Sequence, residues 1–428
     1  MPSAIVVGGG IAGLVVARGL AIGGVSVTLL EASDRLGGKV ARHTVAGIEL
    51  DAGAESFATR KGTVAALAES LGLSVELPNP SGAWLQASAD RAFPLPKTSL
   101  LGIPSIPLAA DVIDVVGMGG ALRATLDLLM FGFAGANERN FGRLVRRRMG
   151  RKVLERLVAP ITMGIHSRHP NELDVDVVAP GLRVELAKVG SLAQAVRELR
   201  AAAPAGSAVS GLDGGMFALV DALSNDLDER GVAVRVSSPV AAADADGVTL
   251  ATGERVDADA VVLATSLAAP GDTTITLVTL VLDAPELDSA PRGTGVLVVP
   301  SIDGIRAKAL THSSAKWPWL AARLGEHHHV IRLSYNRVAH DGLEAGGGPE
   351  QEGLVEAARR DAEKLLGVGI PASSILGFDV VDWAQPATAP QPIDGVTFVG
   401  EGVAGTGLAA VVDRSASEAE RLLGALGV

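Results

Sequence analysis

Cysteine is absent from this 428-residue chain, and aromatic residues make up only 3% of it. The lack of cysteine excludes disulfide bonds, thiol catalysis, cysteine-ligated zinc and iron–sulfur clusters. Basic residues are outnumbered by acidic ones, 37 against 48, and the resulting net charge of −11 speaks against nucleic acid as a general partner. With so few aromatics the core must consist of alanine, valine, leucine and isoleucine, which suits the buried strands of an α/β protein.

Long uncharged apolar runs are also missing, so no membrane-spanning helix is predicted. The most apolar stretch, Ser105–Ala136, is interrupted by Asp111, Asp114, Arg123 and Asp127. The N-terminus has neither the basic region nor the cleavage pattern of a signal peptide. We therefore expect a soluble, cytoplasmic protein, and we leave open a peripheral contact with the inner face of a membrane.

Glycine is abundant, with 52 residues, and its first cluster carries a specific pattern. The apolar run Ala4–Val7 ends in Gly8-Gly9-Gly10-Ile11-Ala12-Gly13, a helical pattern follows, and a second apolar run, Val25–Leu30, stops at Glu31. This order is that of a dinucleotide-binding βαβ unit. The N–H groups at the helix start would meet a pyrophosphate, and Glu31 would accept the hydroxyls of an adenosine ribose, which disfavours NADP.

Later segments indicate a return to the same domain. Strands are predicted at Ala233–Ser237 and within Ala258–Thr265. Near the C-terminus a strand ends in Gly400-Glu401, and a glycine-rich turn leads into a helix predicted over Val411–Leu426. This arrangement fits a helix start that makes the second contact with the phosphates and the ribityl chain of a cofactor. A strand–turn–helix unit that binds no cofactor stays open as the alternative.

The pattern predicts an α/β fold: a discontinuous Rossmann-like dinucleotide-binding domain with an inserted helical region and a further, mixed-sheet domain. The boundaries that we predict are 1–90, 205–270 and 375–428 for the first domain, 91–204 for the helical region, and 271–374 for the sheet domain. Strands are expected at 273–283, 294–299 and 329–334, and a loop over 342–353 precedes a helix that ends near residue 366. The basic cluster 143–148 either forms a solvated helix face or attracts anions. His327–His329 are expected at the surface.

Several motifs resemble a known family. Ala32–Lys39 extends the nucleotide motif as in FAD-dependent amine oxidases and desaturases, and Glu49–Ser56 resembles the segment that passes beside the flavin ring. Gly53–Lys61, Phe141–Leu173 and Ser313–Pro318 are similar to stretches of one branch, the oxygen-dependent protoporphyrinogen and coproporphyrinogen oxidases of haem synthesis.

This resemblance implies FAD as the cofactor, so that the discontinuous Rossmann-like domain is an FAD-binding domain and the mixed-sheet domain is a substrate domain. The implied FAD-binding residues, with the Gly–acid pair of the last strand, are Gly8, Gly9, Gly10, Ile11, Ala12, Gly13, Glu31, Ala32, Lys39, Gly53, Ala54, Glu55, Ser56, Val240, Trp383, Gly400, Glu401, Thr406, Gly407 and Leu408. Trp383 is either a wall of the flavin pocket or a core anchor. Candidate cations for the propionates of the substrate are Arg60, Lys61, Arg168 and Arg332, each of which is otherwise an ordinary surface charge.

The activity implied is oxidation of a porphyrinogen, coproporphyrinogen III or protoporphyrinogen IX, to the porphyrin by FAD, with O2 as the oxidant and H2O2 as a product. The flavin would carry this chemistry, so no catalytic side chain and no metal are predicted. Segments 266–272 and 384–394 are shorter than in the family. They favour two alternatives: an amine-oxidase or desaturase-like enzyme with another substrate, or a catalytically impaired FAD-binding homologue that acts as a partner or regulator. A homodimer also stays open.

Overall fold

A computed structural model of the chain describes residues 1–59, 61–131, 133–166, 168–202, 209–265, 273–300, 302–337, 349–385, 390–405 and 407–428. The chain forms two compact units. The first unit consists of Met1–Pro78, Ser207–Thr274 and Val381–Val428, and the second of Asn79–Gly206 and Ile275–Val380. The domain boundaries expected from the sequence stay a prediction.

The strands are, in chain order, β1 Ser3–Val7, β2 Ser26–Leu30, β3 Arg42–Val45, β4 Ile48–Asp51, β5 Phe57–Ala58, β6 Val75–Glu76, β7 Trp84–Ser88, β8 Arg91–Pro94, β9 Ser99–Leu100, β10 Ile103–Pro104, β11 Val209–Leu212, β12 Ala233–Arg235, β13 Val240–Asp244, β14 Gly247–Leu250, β15 Arg255–Asp257, β16 Ala260–Leu263, β17 Thr273–Asp283, β18 Gly295–Val298, β19 Ala309–His312, β20 His328–Arg337, β21 Ile375–Gln385 and β22 Val396–Phe398.

The helices are α1 Ile11–Ile22, α2 Thr63–Ser70, α3 Ala110–Thr125, α4 Phe133–Ala136, α5 Phe141–Met149, α6 Arg151–Val153, α7 Ala159–His166, α8 Val175–Val178, α9 Leu182–Val189, α10 Leu192–Ala202, α11 Phe217–Glu229, α12 Ser313–Lys316, α13 Pro318–Ala321, α14 Pro349–Leu366, α15 Glu401–Ala404 and α16 Leu408–Leu426. Short 3-10 turns lie at Leu126–Leu129, Pro170–Glu172, Pro285–Leu287 and Ala372–Ser374, and a π turn at Leu154–Val158.

A parallel sheet with the strand order β12-β2-β1-β16-β22 forms the centre of the first unit. The order reverses direction at β1, which lies between β2 and β16, and such a switch point is where open α/β sheets bind ligands beyond the carboxyl ends of their strands. Both faces of the sheet are covered. Helices α1, α11 and α16 contribute to one apolar cluster, and the small antiparallel sheet β13–β15 contributes to the other.

Helix α1 packs closely against α16 because two glycines lie at the contact. A Cβ on Gly19 would stand 2.7 Å from the Cβ of Ala419, and one on Gly23 would stand 2.3 Å from a methyl group of Leu423. Both distances are shorter than any real Cβ contact. This packing holds the two helices, and therefore their N-termini, on the same side of the sheet.

The second unit contains a mixed sheet with the order β21-β17-β20-β19-β18-β7-β8. One apolar cluster joins this sheet to α14, and another consists mainly of helical residues but includes Leu85 of β7. The predicted α/β fold, with its helical insertion and mixed sheet, is confirmed. The predicted loop over 342–353 is wrong for its last residues, since α14 already begins at Pro349. Proline suits a first helical position because its missing N–H would be unpaired there anyway.

The basic cluster 143–148 also differs from a plain solvated face. Arg143, Arg146 and Arg147 are exposed, but Arg148 is fully buried. Its Nε lies 2.5 Å from Oδ1 of Asp127, which is fully buried as well. The second oxygen of that carboxylate accepts hydrogen bonds from the Ser191 hydroxyl at 2.7 Å and a backbone N–H at 2.9 Å. The pair therefore ties three segments of the helical region together.

Within the described ranges, no helix combines the length and the apolar character that a membrane span requires.

Candidate cofactor site

The glycine turn after β1 lies against the carboxyl ends of the neighbouring strands. The Gly8 N–H donates to the carbonyl of Leu30 at 2.7 Å, and a Cβ on Gly8 would stand 3.1 Å from the carbonyl carbon of Ala264. Gly8 also has a φ of +104°, a conformation that favours glycine. A side chain at this position would therefore be excluded both by the backbone conformation and by the adjacent strand end.

Helix α1 begins directly after this turn, with Gly10 as its N-cap. A Cβ on Gly13 would stand only 1.9 Å from the carbonyl oxygen of Gly8, so glycine is required for the helix to start this close to β1. Ile11 and Ala12 complete the first turn, which has no acidic residue and no side-chain cap among the described residues. A Cβ on Gly10 would meet nothing nearer than 3.9 Å. The helix start therefore offers N–H groups to an anion, and no side chain at Gly10 stands in the way.

Glu31 is held beside this turn by hydrogen bonds to both of its carboxylate oxygens. The Gly9 N–H donates to Oε2 at 2.6 Å, and the N–H and hydroxyl of Ser33 donate to Oε1 at 2.8 and 2.7 Å. Ala32 is exposed next to it, and the Gly37 N–H donates to the Gly9 carbonyl at 2.8 Å. The carboxylate thus has a defined position and keeps lone pairs for further donors, such as ribose hydroxyls.

Lys39 and Glu401 form an ion pair although they lie 362 positions apart in the chain. Their side-chain atoms Nζ and Oε2 are 2.5 Å apart, and the two side chains are 40% and 23% exposed. Gly400, with a φ of +97°, precedes Glu401, and a Cβ on it would stand 3.6 Å from the Cβ of Ala12. The end of β22 and the start of α1 are therefore neighbours, and the cation is part of the same site.

The segment Gly53–Ser56 is close to Lys39 and to Trp383. A Cβ on Gly53 would stand 2.0 Å from the Lys39 carbonyl oxygen and 3.3 Å from Nε1 of Trp383, and the Ala54 N–H donates to the same carbonyl at 3.0 Å. The Trp383 indole N–H donates to the carbonyl of Ala52 at 3.0 Å. Glu55 and Ser56 are half-buried. The indole is thus fixed beside Gly53, where it can serve as an anchor or as a wall.

The remaining predicted cofactor residues are more distant or only in part described. Val240 packs beneath the strand ends with Val7 and Leu30, and it lies near Glu31, whose carbonyl accepts the Ser238 N–H at 2.8 Å. Gly407, with a φ of +112°, is the N-cap of α16, which begins at Leu408 without a side-chain cap. Thr406 lies outside the described residues.

The four cations expected for substrate are not brought together by any described contact. Lys61 pairs with Asp413 at 2.8 Å and is 63% exposed. Arg168 is half-buried, and so is Arg332, which faces Thr311 in the register of β19 and β20. Arg60 lies outside the described residues. The same holds for all of 266–272 and for residues 386–389 of 384–394, the two segments that are shorter than in the family.

The expected surface position of the three consecutive histidines is wrong for His329. Its side chain is 12% exposed, its Nε2 lies 3.0 Å from Oδ1 of Asp288, and its Nδ1 lies 3.2 Å from Nε2 of the fully buried His312. Burial, together with the neighbouring His329, lowers the pKa of His312 to about 3. Burial also lowers the pKa of His329, whereas a hydrogen bond to Asp288 raises the pKa of the more exposed His327.

Sequence reasoning missed some partners of the site. Ser33 was not expected to hold Glu31, nor the Ala52 carbonyl to hold Trp383. A serine two residues after a carboxylate is a common local hydrogen-bond pattern and could have indicated the first contact. The second depends on long-range packing. Across the described residues, no group of three or more histidine, aspartate or glutamate side chains could hold a metal ion.

The donors and acceptors present fit an adenine dinucleotide. The open N-termini of α1 and α16 and the Lys39 ammonium suit a pyrophosphate, and the fixed Glu31 carboxylate suits a ribose. The glycines at 8, 13 and 53 are required by contacts within the protein itself. A Cβ on Gly10, in contrast, would make only ordinary van der Waals contacts, at 3.9 and 4.0 Å. The donor set thus suits the pyrophosphate and the ribose of an adenine dinucleotide, of which FAD is one.

Comparison with known proteins identifies the family and the cofactor. Residues 11–295 match the family described as flavin containing amine oxidoreductase. The coproporphyrinogen III oxidase of Mycobacterium leprae (strain TN) is 30% identical over 354 residues, which are 78% of this chain and 77% of that protein. The enzyme of the same name from Mycobacterium tuberculosis (strain H37Rv) is 30% identical over 85% of this chain and 82% of its own.

Solved structures share the fold over almost the whole chain. A crystal structure from Exiguobacterium sp. 255-15, provisionally named a protoporphyrinogen oxidase, has a TM-score of 0.79 at 24% identity, with 99% of this chain and 98% of that chain covered. Putrescine oxidase with bound putrescine has a TM-score of 0.65 at 15% identity, with coverages of 99% and 98%. The chain belongs to the flavin containing amine oxidoreductase family and is an FAD-dependent oxidoreductase.

Proposed function

We propose that this flavoprotein oxidises a porphyrinogen, coproporphyrinogen III or protoporphyrinogen IX, to the corresponding porphyrin. The observation that carries the proposal is the 30% identity, over more than three quarters of the chain, to proteins named coproporphyrinogen III oxidase. Putrescine oxidase supports no rival proposal, because its likeness at 15% identity concerns the fold alone. Bound FAD would supply the hydride acceptor, and O2 would take the electrons and leave as H2O2.

The role of this chain's own residues is to hold the cofactor and to orient the substrate. The first turn of α1, the start of α16 and Lys39 would hold the phosphates, and Glu31 would hold the adenosine ribose. Trp383 is fixed by its hydrogen bond to the Ala52 carbonyl and would limit the space at the flavin.

The substrate's propionates call for cationic partners. Arg332 is half-buried on β20, and Arg168 is half-buried after α7, so both guanidinium groups are partly shielded from water, where charge pairing is stronger. Lys61 already pairs with an exposed aspartate and is the weaker candidate. The predicted cytoplasmic location and homodimer belong to this proposal as predictions that no observation tests.

A turnover assay with several substrates tests the proposal. FAD-loaded protein is mixed in air with coproporphyrinogen III, protoporphyrinogen IX or a set of amines that includes putrescine, while porphyrin fluorescence and H2O2 are recorded. We expect porphyrin and H2O2 from at least one porphyrinogen and no H2O2 from the amines. H2O2 from an amine alone would support the amine-oxidase alternative. No turnover of any substrate by a yellow protein would support the impaired homologue.

A further inference from the structure

Helix α11 begins with residues that cannot cap it. Its N-cap residue is Met216, whose side chain has no oxygen, and its first turn is the apolar sequence Phe-Ala-Leu-Val. The first N–H groups of a helix have no partner within the helix and must be satisfied from elsewhere. Asp51, the last residue of β4, supplies that partner although it lies 165 positions earlier in the chain.

Both carboxylate oxygens of Asp51 take part in this cap. The Met216 N–H donates to Oδ2 at 3.0 Å, and the Phe217 N–H donates to Oδ1 at 3.0 Å. Asp51 is only 7% exposed, and the partial positive charge of the helix N-terminus stabilises a carboxylate at that depth. Gly214 and Gly215 precede the two donors with φ values of +86° and +105°, which glycine adopts without strain. The turn therefore presents two donors to one carboxylate.

A second contact joins the same hairpin to the same helix. Arg42 on β3 is paired with Asp51 in the register of β3 and β4. Its guanidinium donates to both oxygens of Asp221 on α11 at 2.8 Å and lies 4.9 Å from the centre of the Phe217 ring. This ion pair is exposed, and exposed pairs contribute little because water and salt screen them. The buried Asp51 carboxylate is therefore the stronger tie between β4 and α11.

The residue after Asp51 holds the indole of the cofactor site. The Ala52 N–H donates to the Ala41 carbonyl at 2.8 Å, and the Ala52 carbonyl accepts the indole N–H of Trp383 at 3.0 Å. Gly53 follows directly, and a Cβ on it would stand 3.3 Å from that indole nitrogen. A shift of β4 would therefore move the carbonyl that holds the indole, and a hydrogen bond tolerates only a few tenths of an ångström.

We propose that Asp51 is a positioning residue of the cofactor site. By capping α11 it fixes the Ala52 carbonyl, and through this carbonyl it fixes the Trp383 indole at the FAD. Without the carboxylate, FAD would have to order this segment as it binds, and part of the binding free energy would be lost. The role rests on the placement of FAD proposed above and is independent of the identity of the substrate. The sequence predicts cofactor contacts at Gly53–Ser56 but gives Asp51 no role.

A double-mutant cycle tests the proposal. The FAD-loaded full-length protein is compared with Asp51→Asn, Trp383→Phe and the double variant. FAD titration of the apoprotein, thermal melts and the visible circular dichroism of the bound flavin are measured for each. Asparagine has the size of aspartate but only one acceptor oxygen, so one N–H at the start of α11 loses its partner.

Asp361→Asn is the matched control. Asp361 is a second buried carboxylate that binds backbone N–H groups, since it is 3% exposed and accepts from Arg306 at 3.1 Å and from Ala307 at 2.8 Å. It lies in the second unit and has no part in the cofactor site. Its replacement therefore measures what the loss of such a buried carboxylate does to stability alone.

We expect Asp51→Asn to weaken FAD binding by about tenfold, which corresponds to the cost of ordering one residue, and to change the dichroism of the flavin. In the Trp383→Phe background this change in dichroism should be at least halved, because residues that act through one contact are not additive. Asp361→Asn should lower the melting temperature by several degrees, as Asp51→Asn does, and should keep the wild-type FAD affinity and dichroism.

Two results would overturn the proposal. One is an Asp51→Asn protein that melts at a lower temperature but has the FAD affinity and dichroism of the wild type or of Asp361→Asn, since Asp51 would then only stabilise the fold. The other is a change in dichroism that persists in full when Trp383 is phenylalanine. If Asp51→Asn does not fold, the smaller Asp51→Ser, whose hydroxyl still accepts from one N–H, is measured with the same expectations. Porphyrinogen turnover is not a readout, so a failure of the proposed function would not affect the result.

Discussion

Replacing Gly13 with alanine tests whether the start of α1 must lie directly against the glycine turn. The new Cβ would stand 1.9 Å from the Gly8 carbonyl oxygen and 3.2 Å from the Cβ of Ala264, whereas ordinary contacts begin at 3.4 Å. Because the nearest atom belongs to the backbone, no side chain can turn aside to relieve the clash. The first turn of α1 must therefore retreat by more than an ångström.

The consequences for cofactor binding and stability can be estimated separately. Hydrogen bonds to a phosphate form only over about 2.7–3.2 Å, so such a retreat loses at least one of them. One charge-assisted hydrogen bond is worth about 1.5–3 kcal/mol, which predicts a loss of FAD affinity of about tenfold or more. The overpacking itself costs about 1–3 kcal/mol, and at about 2–4 °C per kcal/mol the melting temperature should fall by several degrees.

Titration of the apoprotein with FAD, followed by quenching of flavin fluorescence, measures the affinity, and a thermal melt measures the stability. Gly424→Ala is the matched control, since it lies in α16 of the same unit and its new Cβ would meet no atom within 4 Å. It should bind FAD normally and be more stable by up to about 1 kcal/mol. A Gly13→Ala protein with wild-type FAD affinity and melting temperature would refute the reasoning.

Three further predictions concern the two ion pairs and the buried histidines. Lys39→Gln should weaken FAD binding by about tenfold, because a charge-assisted contact is lost. An unchanged affinity in the FAD titration of the apoprotein would place Lys39 away from the phosphates. Asp127→Ala should lower the free energy of unfolding, measured in urea, by about 3–5 kcal/mol, because Arg148 is left as a buried, uncompensated charge. The control Arg151→Ala breaks an exposed ion pair and should change the free energy of unfolding by no more than about 0.5 kcal/mol. The pKa of His312 in the folded protein is about 3 and lies below the ordinary histidine value of 6.5, so the unfolded chain takes up the proton first as the pH falls. The stability that His312 contributes is therefore complete above pH 6.5 and falls by up to about 1.4 kcal/mol per pH unit towards pH 3. His312→Leu should flatten this slope in urea unfolding at a series of pH values, while His328→Leu should keep it, and equal slopes in all three proteins would contradict the assignment.

The βαβ unit could be predicted almost residue by residue because its signals are local. The first strand was expected at Ala4–Val7 and is Ser3–Val7, and the second was expected at Val25–Leu30 and is Ser26–Leu30. A glycine turn must follow the strand directly, and the helix must follow the turn, so the spacing leaves little freedom. The C-terminal helix begins three residues before the predicted start, because Gly407 rather than a side chain caps it.

Contacts between distant segments could not be predicted. The Lys39–Glu401 pair joins residues at opposite ends of the chain, and Arg148 is buried only because Asp127 and several carbonyls surround it. A local sign of that burial does exist, since Arg148 is four residues after Leu144 and shares its helix face. In a run of basic residues the same position is expected on a face that is solvated or attracts anions, because the partner carboxylate is 21 residues away.

The central claim is that the bound flavin of this protein accepts electrons from a porphyrinogen. An anaerobic titration of the FAD-loaded protein with coproporphyrinogen III, followed through the visible absorbance of the flavin, tests it most directly. We predict that the absorbance bleaches as porphyrinogen is added and returns when air is admitted, and that porphyrin fluorescence then appears as O2 completes the six-electron oxidation through the flavin. A flavin that stays fully oxidised with both coproporphyrinogen III and protoporphyrinogen IX would contradict the claim.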